Sequence, residues 1–284
     1  MNENPPDFKK SCCLRLTVAT ILFFSMFFVV ISPSYSEKLA SNLVSARFIV
    51  GWENEDETIQ GALLFELAPS WKTYWRNPGE YGVAPKFSWS KSTNVKKIEF
   101  SWPTPKLFNQ FDVPVLGYSN KLLLPIKITR ENSLKPVILD MDLNFGICSD
   151  ICILKSLNIV SMLDNPASSK PHGPILVALE NSPKNHPNEE ILSLRCNILK
   201  AKNELVIRYK INFKNKPQSQ PVVIFEYLPG ETLLEAKNIK TNGNEFSIIA
   251  SLEGILVTEG LIQRKKINTF FLHDDTAFEL RGCD

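Results

Sequence analysis

The 284-residue sequence has almost no excess of charge, with 32 lysines and arginines against 30 aspartates and glutamates. No global field recruits nucleic acid or an acidic polymer, so partners must be chosen by local surfaces. Histidine is equally sparse: His172, His186 and His273 are scattered, and Met162 is the only thioether near a cysteine pair. A soft-metal site needs more ligands than that, so no metal and no cofactor is expected. Beyond residue 163 there is no multi-helix hydrophobic block and no Cys-x-x-Cys, which excludes a chain that itself moves electrons across a membrane. Repeats and low-complexity tracts are also absent. Glycine is outnumbered by proline, 12 to 19, and 18 phenylalanines and five tryptophans accompany them. Such a composition suits many short strands with hard corners and argues against a helical bundle.

The first residues read as an address. Lys9, Lys10 and Arg15 precede an apolar run from Val18 to Ile31, followed by Ser34 and Ser36 spaced like the small residues of a cleavage site. Residues 1–36 are expected to be a signal peptide cut near Ser36, and the product to be exported. The run is shorter than the roughly 20 residues of a membrane span, so an uncleaved anchor is the alternative. Cys12 and Cys13 lie before the run, not after it, and give no support to lipidation.

Strand signals fill the rest. Val44–Val50, Ile59–Leu67, Lys86–Trp89, Val95–Trp102, Lys121–Thr129, Pro136–Phe145 and Ile153–Met162 alternate or run apolar between turn formers. Seven short strands predict an immunoglobulin-like antiparallel β-sandwich over residues 37–163. Residues 164–190 carry five prolines around Ile175–Leu179 and read as a linker with at most a short helix. Residues 191–284 show Ile191–Leu199, Glu204–Phe213, Val222–Tyr227, Glu245–Ser251 and Lys266–Leu272, with an Asn242-Gly243 turn, and predict a second, smaller β-sandwich. The whole is all-β.

An oxidising compartment permits Cys148, Cys152, Cys196 and Cys283 to pair. Residues four apart in a continuous strand stand roughly 13 Å apart, too far for a disulfide. The strand-like flanks allow Ser149-Asp150-Ile151 to form a hairpin loop that sets Cys148 opposite Cys152. So small a ring removes little loop entropy, far less than the roughly 3 kcal/mol of a 15-residue loop, so reversible exchange is the sharper reading and a passive staple its rival. Asp150 would raise a neighbouring thiol pKa and Lys155 is the nearest cation, so the pair is not strongly self-activated. Cu(I) on the two thiolates is a third, weaker reading. Cys196 and Cys283 lie at opposite ends of the second domain and are expected to form a structural disulfide, with free thiols as the alternative.

Tyr74-Trp-Arg-Asn-Pro-Gly79, Phe87-Ser-Trp-Ser90, Trp102-Pro-x-Pro105, Gly117-Tyr118, Leu124-Pro125 and Cys148-x-x-x-Cys-Ile153 occur in register over residues 40–163. In this order they resemble the amino-terminal periplasmic domain of the thiol:disulfide reductase DsbD and its ScsB-like relatives. The resemblance implies an immunoglobulin-like domain whose cysteines take electrons from a thioredoxin-like or membrane reductase donor and pass them to periplasmic disulfide-bonded clients. It implies a membrane connection only through the signal sequence or a partner. It also implies a mobile cap over the cysteines, with Phe111 as the shielding ring, Phe108 beside it and Asp112 as the nearest carboxylate. Cys152 is implied as the attacking sulfur. The departures are Asn109 and Gln110 where the enterobacterial form has acids, three intervening residues instead of five, and Leu154 in place of a proline frequent in ScsB-like relatives. Tyr74, Trp75, Arg76 and Tyr118 are candidates for partner binding, since such residues anchor interfaces; core packing is the competing fate. The competing function is a non-enzymatic, disulfide-stapled binding module.

Overall fold

A computed structural model describes residues 43–79, 82–163, 170–185, 191–201, 204–216, 221–227, 232–253, 263–273 and 276–283. The expected signal peptide, with Cys12 and Cys13, lies outside them, as do parts of the expected linker. Among the described residues no helix is long and apolar enough to cross a membrane.

Ten strands build the first sandwich: β1 (Val44–Glu53), β2 (Ile59–Leu67), β3 (Lys72–Tyr74), β4 (Lys86–Ser88), β5 (Val95–Phe100), β6 (Lys106–Gln110), β7 (Val113–Ser119), β8 (Lys121–Arg130), β9 (Val137–Cys148) and β10 (Cys152–Leu163). One sheet runs β1-β2-β8-β5; the other runs β10-β9-β3-β7-β6, with β4 also on β9. Leu63, Phe65, Leu124 and Ile126 of the first sheet share a core with Leu139, Met141, Leu143 and Phe145 of the second. Phe65 and Phe145 meet edge to face at 5.3 Å. The seven expected strands are all present. Three further strands carry little sequence signal: β3 is only three residues long, β6 lies within the proline-punctuated stretch from Pro103 to Pro114, and β7 begins in it.

β2 is buried on both faces except at Glu66, which alternation alone does not explain. Its outer face is covered by the linker helix α1 (Gly173–Glu180), which begins with Pro174 in its first turn. Ile175 packs there with Trp52 and Ala62. Gly51 makes the approach possible, since a Cβ there would stand 3.2 Å from Ile175 Cδ1 and 2.4 Å from the Gln60 carbonyl oxygen.

The second sandwich has seven strands: β11 (Ile191–Ala201), β12 (Glu204–Phe213), β13 (Val222–Tyr227), β14 (Thr232–Asn242), β15 (Glu245–Glu253), β16 (Ile267–His273) and β17 (Thr276–Arg281). β14 and β17 were not anticipated: one is interrupted by polar residues, the other is short and terminal. The order β11-β12-β15-β14-β13-β16-β17 turns at β14, which pairs β13 through Thr232–Glu235 and β15 through Ala236–Asn242. The resulting halves enclose Ile207, Tyr209, Phe225, Phe246, Ile248 and Phe271. Cys196 on β11 and Cys283 just after β17 are joined as a disulfide, with Cα atoms 5.3 Å apart. That bond ties together the two ends of the strand path.

β16 is buried from Ile267 to Leu272 because it lies between two cores. Phe271 points into its own sandwich, whereas Phe270 and Leu272 belong to the core of the first. A parallel bridge between Lys184 and Phe278 and a hydrogen bond from Thr104 N to Asn181 O add to this boundary.

Candidate functional site

β9 and β10 form an unbroken antiparallel ladder from Leu163↔Val137 to Cys152↔Cys148. Ser149–Ile151 closes it, and the Ser149 amide donates to the Ile151 carbonyl at 3.0 Å. The two cysteines are joined as a disulfide with Cα atoms 4.2 Å apart, the hairpin-tip arrangement expected from their flanks. Their environments differ sharply. Cys148 is 1% exposed, whereas Cys152 stands at the surface at the end of an edge strand. Cys152 is thus the more solvent-accessible residue of the pair.

The buried sulfur is held by polar groups from two other strands. Lys72 and Thr73 of β3 pair with Cys148 and Ile147, and Thr73 Oγ1 donates to the Gly146 carbonyl at 2.9 Å. The next residue, Tyr74, is 3% exposed, and its hydroxyl donates to Cys148 Sγ at 3.0 Å and lies 3.6 Å from Cys152 Sγ. Its ring lies close against Gly146, where a Cβ would fall 2.7 Å from Tyr74 Cε2. Gln110, at the end of β6, donates from Nε2 to both sulfurs at 2.8 Å and lies 3.1 Å from the Tyr74 hydroxyl. Two donors aimed at sulfur favour a thiolate there once the bond opens, because hydrogen bonds to a charged acceptor are the stronger kind.

The expected cap residues are arranged differently from the expectation. Phe111 and Asp112 form the two-residue turn between β6 and β7, both at positive φ (50° and 64°), the backbone of a tight hairpin. Phe111 is 68% exposed and Asp112 also faces solvent. The phenylalanine that packs in the cluster of Tyr74, Val115 and Cys148 is Phe108, with Lys72 Nζ 5.3 Å above its ring. Gln110 is the residue directly on the sulfurs, and it was not singled out as a site residue. Strand alternation would have found it, since Phe108 and Gln110 share one face of β6 and Phe111 falls in the turn.

Of the expected partner-binding residues, Tyr74 reaches the disulfide and the others are turned inward. Trp75 is fully buried, 4.3 Å from the Phe270 ring, with the Arg76 guanidinium 4.4 Å from its own ring centroid. Arg76 pairs with Glu226 at 3.1 Å and with Glu279, both on the second sandwich. Tyr118 stacks on Trp102 and donates to the Pro103 carbonyl at 2.6 Å; burial pushes its hydroxyl pKa well up. Trp75 and Tyr118 are thus taken up by the core of the first sandwich, to which Phe270 of the second also belongs.

Burial acts to raise the Glu226 carboxyl, but the Arg76 charge and hydrogen bonds from Arg76, Asn268 and Asn77 outweigh it and hold it below the ordinary glutamate range. A depressed carboxyl adds stability above its unfolded pKa of about 4.3, and that stability is lost as pH falls through the lower folded value. The urea midpoint of the wild type is therefore expected to fall between pH 6 and pH 3 by more than that of Glu226→Gln. Equal losses would show that this pair contributes nothing to acid sensitivity.

Among the described residues no group of three or more metal-ligating side chains converges. Residues 42–163 match the family model described as thiol:disulfide interchange protein DsbD, N-terminal. Among solved structures, the N-terminal periplasmic domain of ScsB from Proteus mirabilis superposes with a TM-score of 0.61 at 21% identity, over 84% of this chain and 92% of that one. A marsupial T cell receptor overlaps at a TM-score of only 0.24 and 10% identity, over 83% and 99% of the two chains. Among curated proteins none matches. With its cysteine pair at the tip of a sandwich hairpin, the stretch 42–163 of this chain is similar to the N-terminal domain of the thiol:disulfide interchange protein DsbD.

Proposed function

We propose that the protein is an exported thiol–disulfide exchange protein that relays electrons through Cys148 and Cys152. The observation that carries the reading is the contrast between an exposed Cys152 and a buried Cys148 that already receives hydrogen bonds from Tyr74 and Gln110. A thiolate of a thioredoxin-like or membrane reductase donor attacks Cys152 Sγ, and Cys148 leaves as the thiolate. A second donor thiolate then breaks the mixed disulfide, the donor becomes oxidised and Cys152 is freed. In the forward direction the Cys152 thiolate attacks a client disulfide and the first client sulfur leaves and takes a proton. Cys148 next attacks Cys152 Sγ, which restores the ring and releases the second client sulfur. Two electrons and two protons pass to the client. A periplasmic location accords with this chemistry, because client disulfides persist only in an oxidising compartment.

Trapping tests it. Cys148→Ser leaves an accessible thiol with nothing to resolve its mixed disulfides, so covalent complexes with periplasmic thiol proteins are expected to accumulate on non-reducing gels. Cys152→Ser is expected to give none. Equal trapping by both variants, or none by either, would remove the proposal. A passive staple would instead show a reduction potential below about −300 mV against glutathione.

A further inference from the structure

The segment that brings Tyr74 to the sulfurs continues, without a break, into the boundary with the second sandwich. Trp75 N donates to Leu116 O and Leu116 N donates to Pro78 O, both at 3.0 Å, so residues 75–78 lie as a strap along β7. The second sandwich holds the same strap at three consecutive residues. Phe270 packs on Trp75. Glu226 accepts from Arg76 Nε at 3.2 Å and from Asn77 Nδ2 at 3.0 Å, Glu279 accepts from Arg76 Nη2, and Asn268 Nδ2 donates to Glu226 at 2.7 Å. The side chains of Glu226 and Glu279 are only 10% and 11% exposed. Withdrawing Arg76 would leave two carboxylates buried without their cation, so the strap cannot slip without a large penalty.

We propose that the second sandwich is a positioning element of the thiol-exchange site: by clamping Trp75, Arg76 and Asn77 it holds the Tyr74 hydroxyl on Cys148 Sγ and so speeds the departure of Cys148 as a thiolate. The inference rests on the exchange reading above and gives the second sandwich a role in it. The hydroxyl makes a 3.0 Å contact, and a shift of about 1 Å in the strap is enough to lose it. Glu226, Glu279 and Phe270 touch no reacting atom; they act through Trp75, Arg76 and Tyr74.

The test is a double-mutant cycle on the full chain, starting from the oxidised protein. Reduction of the Cys148–Cys152 bond by excess dithiothreitol is followed by thiol labelling and peptide mass spectrometry, which separates it from Cys196–Cys283. Tyr74→Phe is expected to slow reduction about 10-fold or more, the loss of one hydrogen bond to a developing thiolate. Glu226→Gln and, independently, Phe270→Leu are expected to slow it roughly 3- to 10-fold in the wild type and less than about 2-fold in the Tyr74→Phe background, because the two changes remove the same contact. Phe270→Leu carries the test alone if Glu226→Gln does not fold. Clamp variants that are reduced at the wild-type rate, or that slow Tyr74→Phe as much as they slow the wild type, overturn the proposal. A Tyr74→Phe protein reduced at the wild-type rate overturns it too. Any of these results alongside successful trapping by Cys148→Ser leaves the exchange reading standing, so the two fail separately.

Discussion

Trp75→Ala is expected to destabilise the protein by about 3–5 kcal/mol, the range for removing a fully buried tryptophan. The side chain is 0% exposed and is among the largest fully buried ones in the molecule. It packs against Phe270 of the second sandwich and under the Arg76 guanidinium, so the cavity would open at the seam between sandwiches. Neither side can collapse into it without moving a strand or exposing Arg76 and its carboxylates. Trp75→Phe is the informative control. The indole Nε1 has no hydrogen-bond partner among the described residues, so a phenyl ring gives up volume without stranding a polar group. Its cost is expected to be less than half that of alanine. Urea unfolding followed by far-ultraviolet circular dichroism measures both. A loss below about 1 kcal/mol for Trp75→Ala would mean that the seam is not a cooperative part of the fold.

Removing the Cys196–Cys283 bond, by the double substitution to serine, is expected to cost about 4–5 kcal/mol, the chain-entropy value for a loop of this size. The two cysteines are 87 residues apart, and the loop they close runs from the middle of β11 through β17. The contrast with Cys148–Cys152, separated by four, is the reason the two bonds are assigned opposite roles. The long loop constrains the unfolded chain heavily, and Cys283, 3% exposed, is out of reach of exchange. The short loop constrains little and leaves Cys152 open to attack. The double variant is therefore expected to unfold at much lower urea concentration while its Cys148–Cys152 pair is reduced at close to the wild-type rate at low temperature. Unchanged stability would contradict the structural assignment of the long-range bond.

The two disulfides also mark how far residue patterns reach. Cys148 and Cys152 could be set opposite each other from sequence, because the strand character of their flanks and a three-residue gap leave a hairpin as the local solution. Pairing Cys196 with Cys283 depended on which strands end the path of the second sandwich, and β14 and β17 had not been recognised. Tyr74 was selected as an interface aromatic, yet its partner is sulfur. Trp75, Arg76 and Tyr118 were selected on the same ground, and their partners are Phe270, Glu226 and Pro103, from 15 to 195 residues away in the chain. The cap was traced to Phe111 by resemblance, while the side chain that touches both sulfurs is Gln110, one residue earlier.

Alternating apolar residues and their turn formers determined by themselves the all-β class, the seven main strands of the first sandwich, and the hairpin that sets Cys148 opposite Cys152. Each of these is a short-range property, set by side-chain period and by the conformations available to a few neighbouring residues. Only the tertiary structure decided which cysteine is exposed, which donors point at the buried one, and that the second sandwich grips the strap behind Tyr74. Those features depend on burial and on contacts between distant strands, and the free energy of a buried ion pair or a filled core position exists only after the chain has brought both partners together.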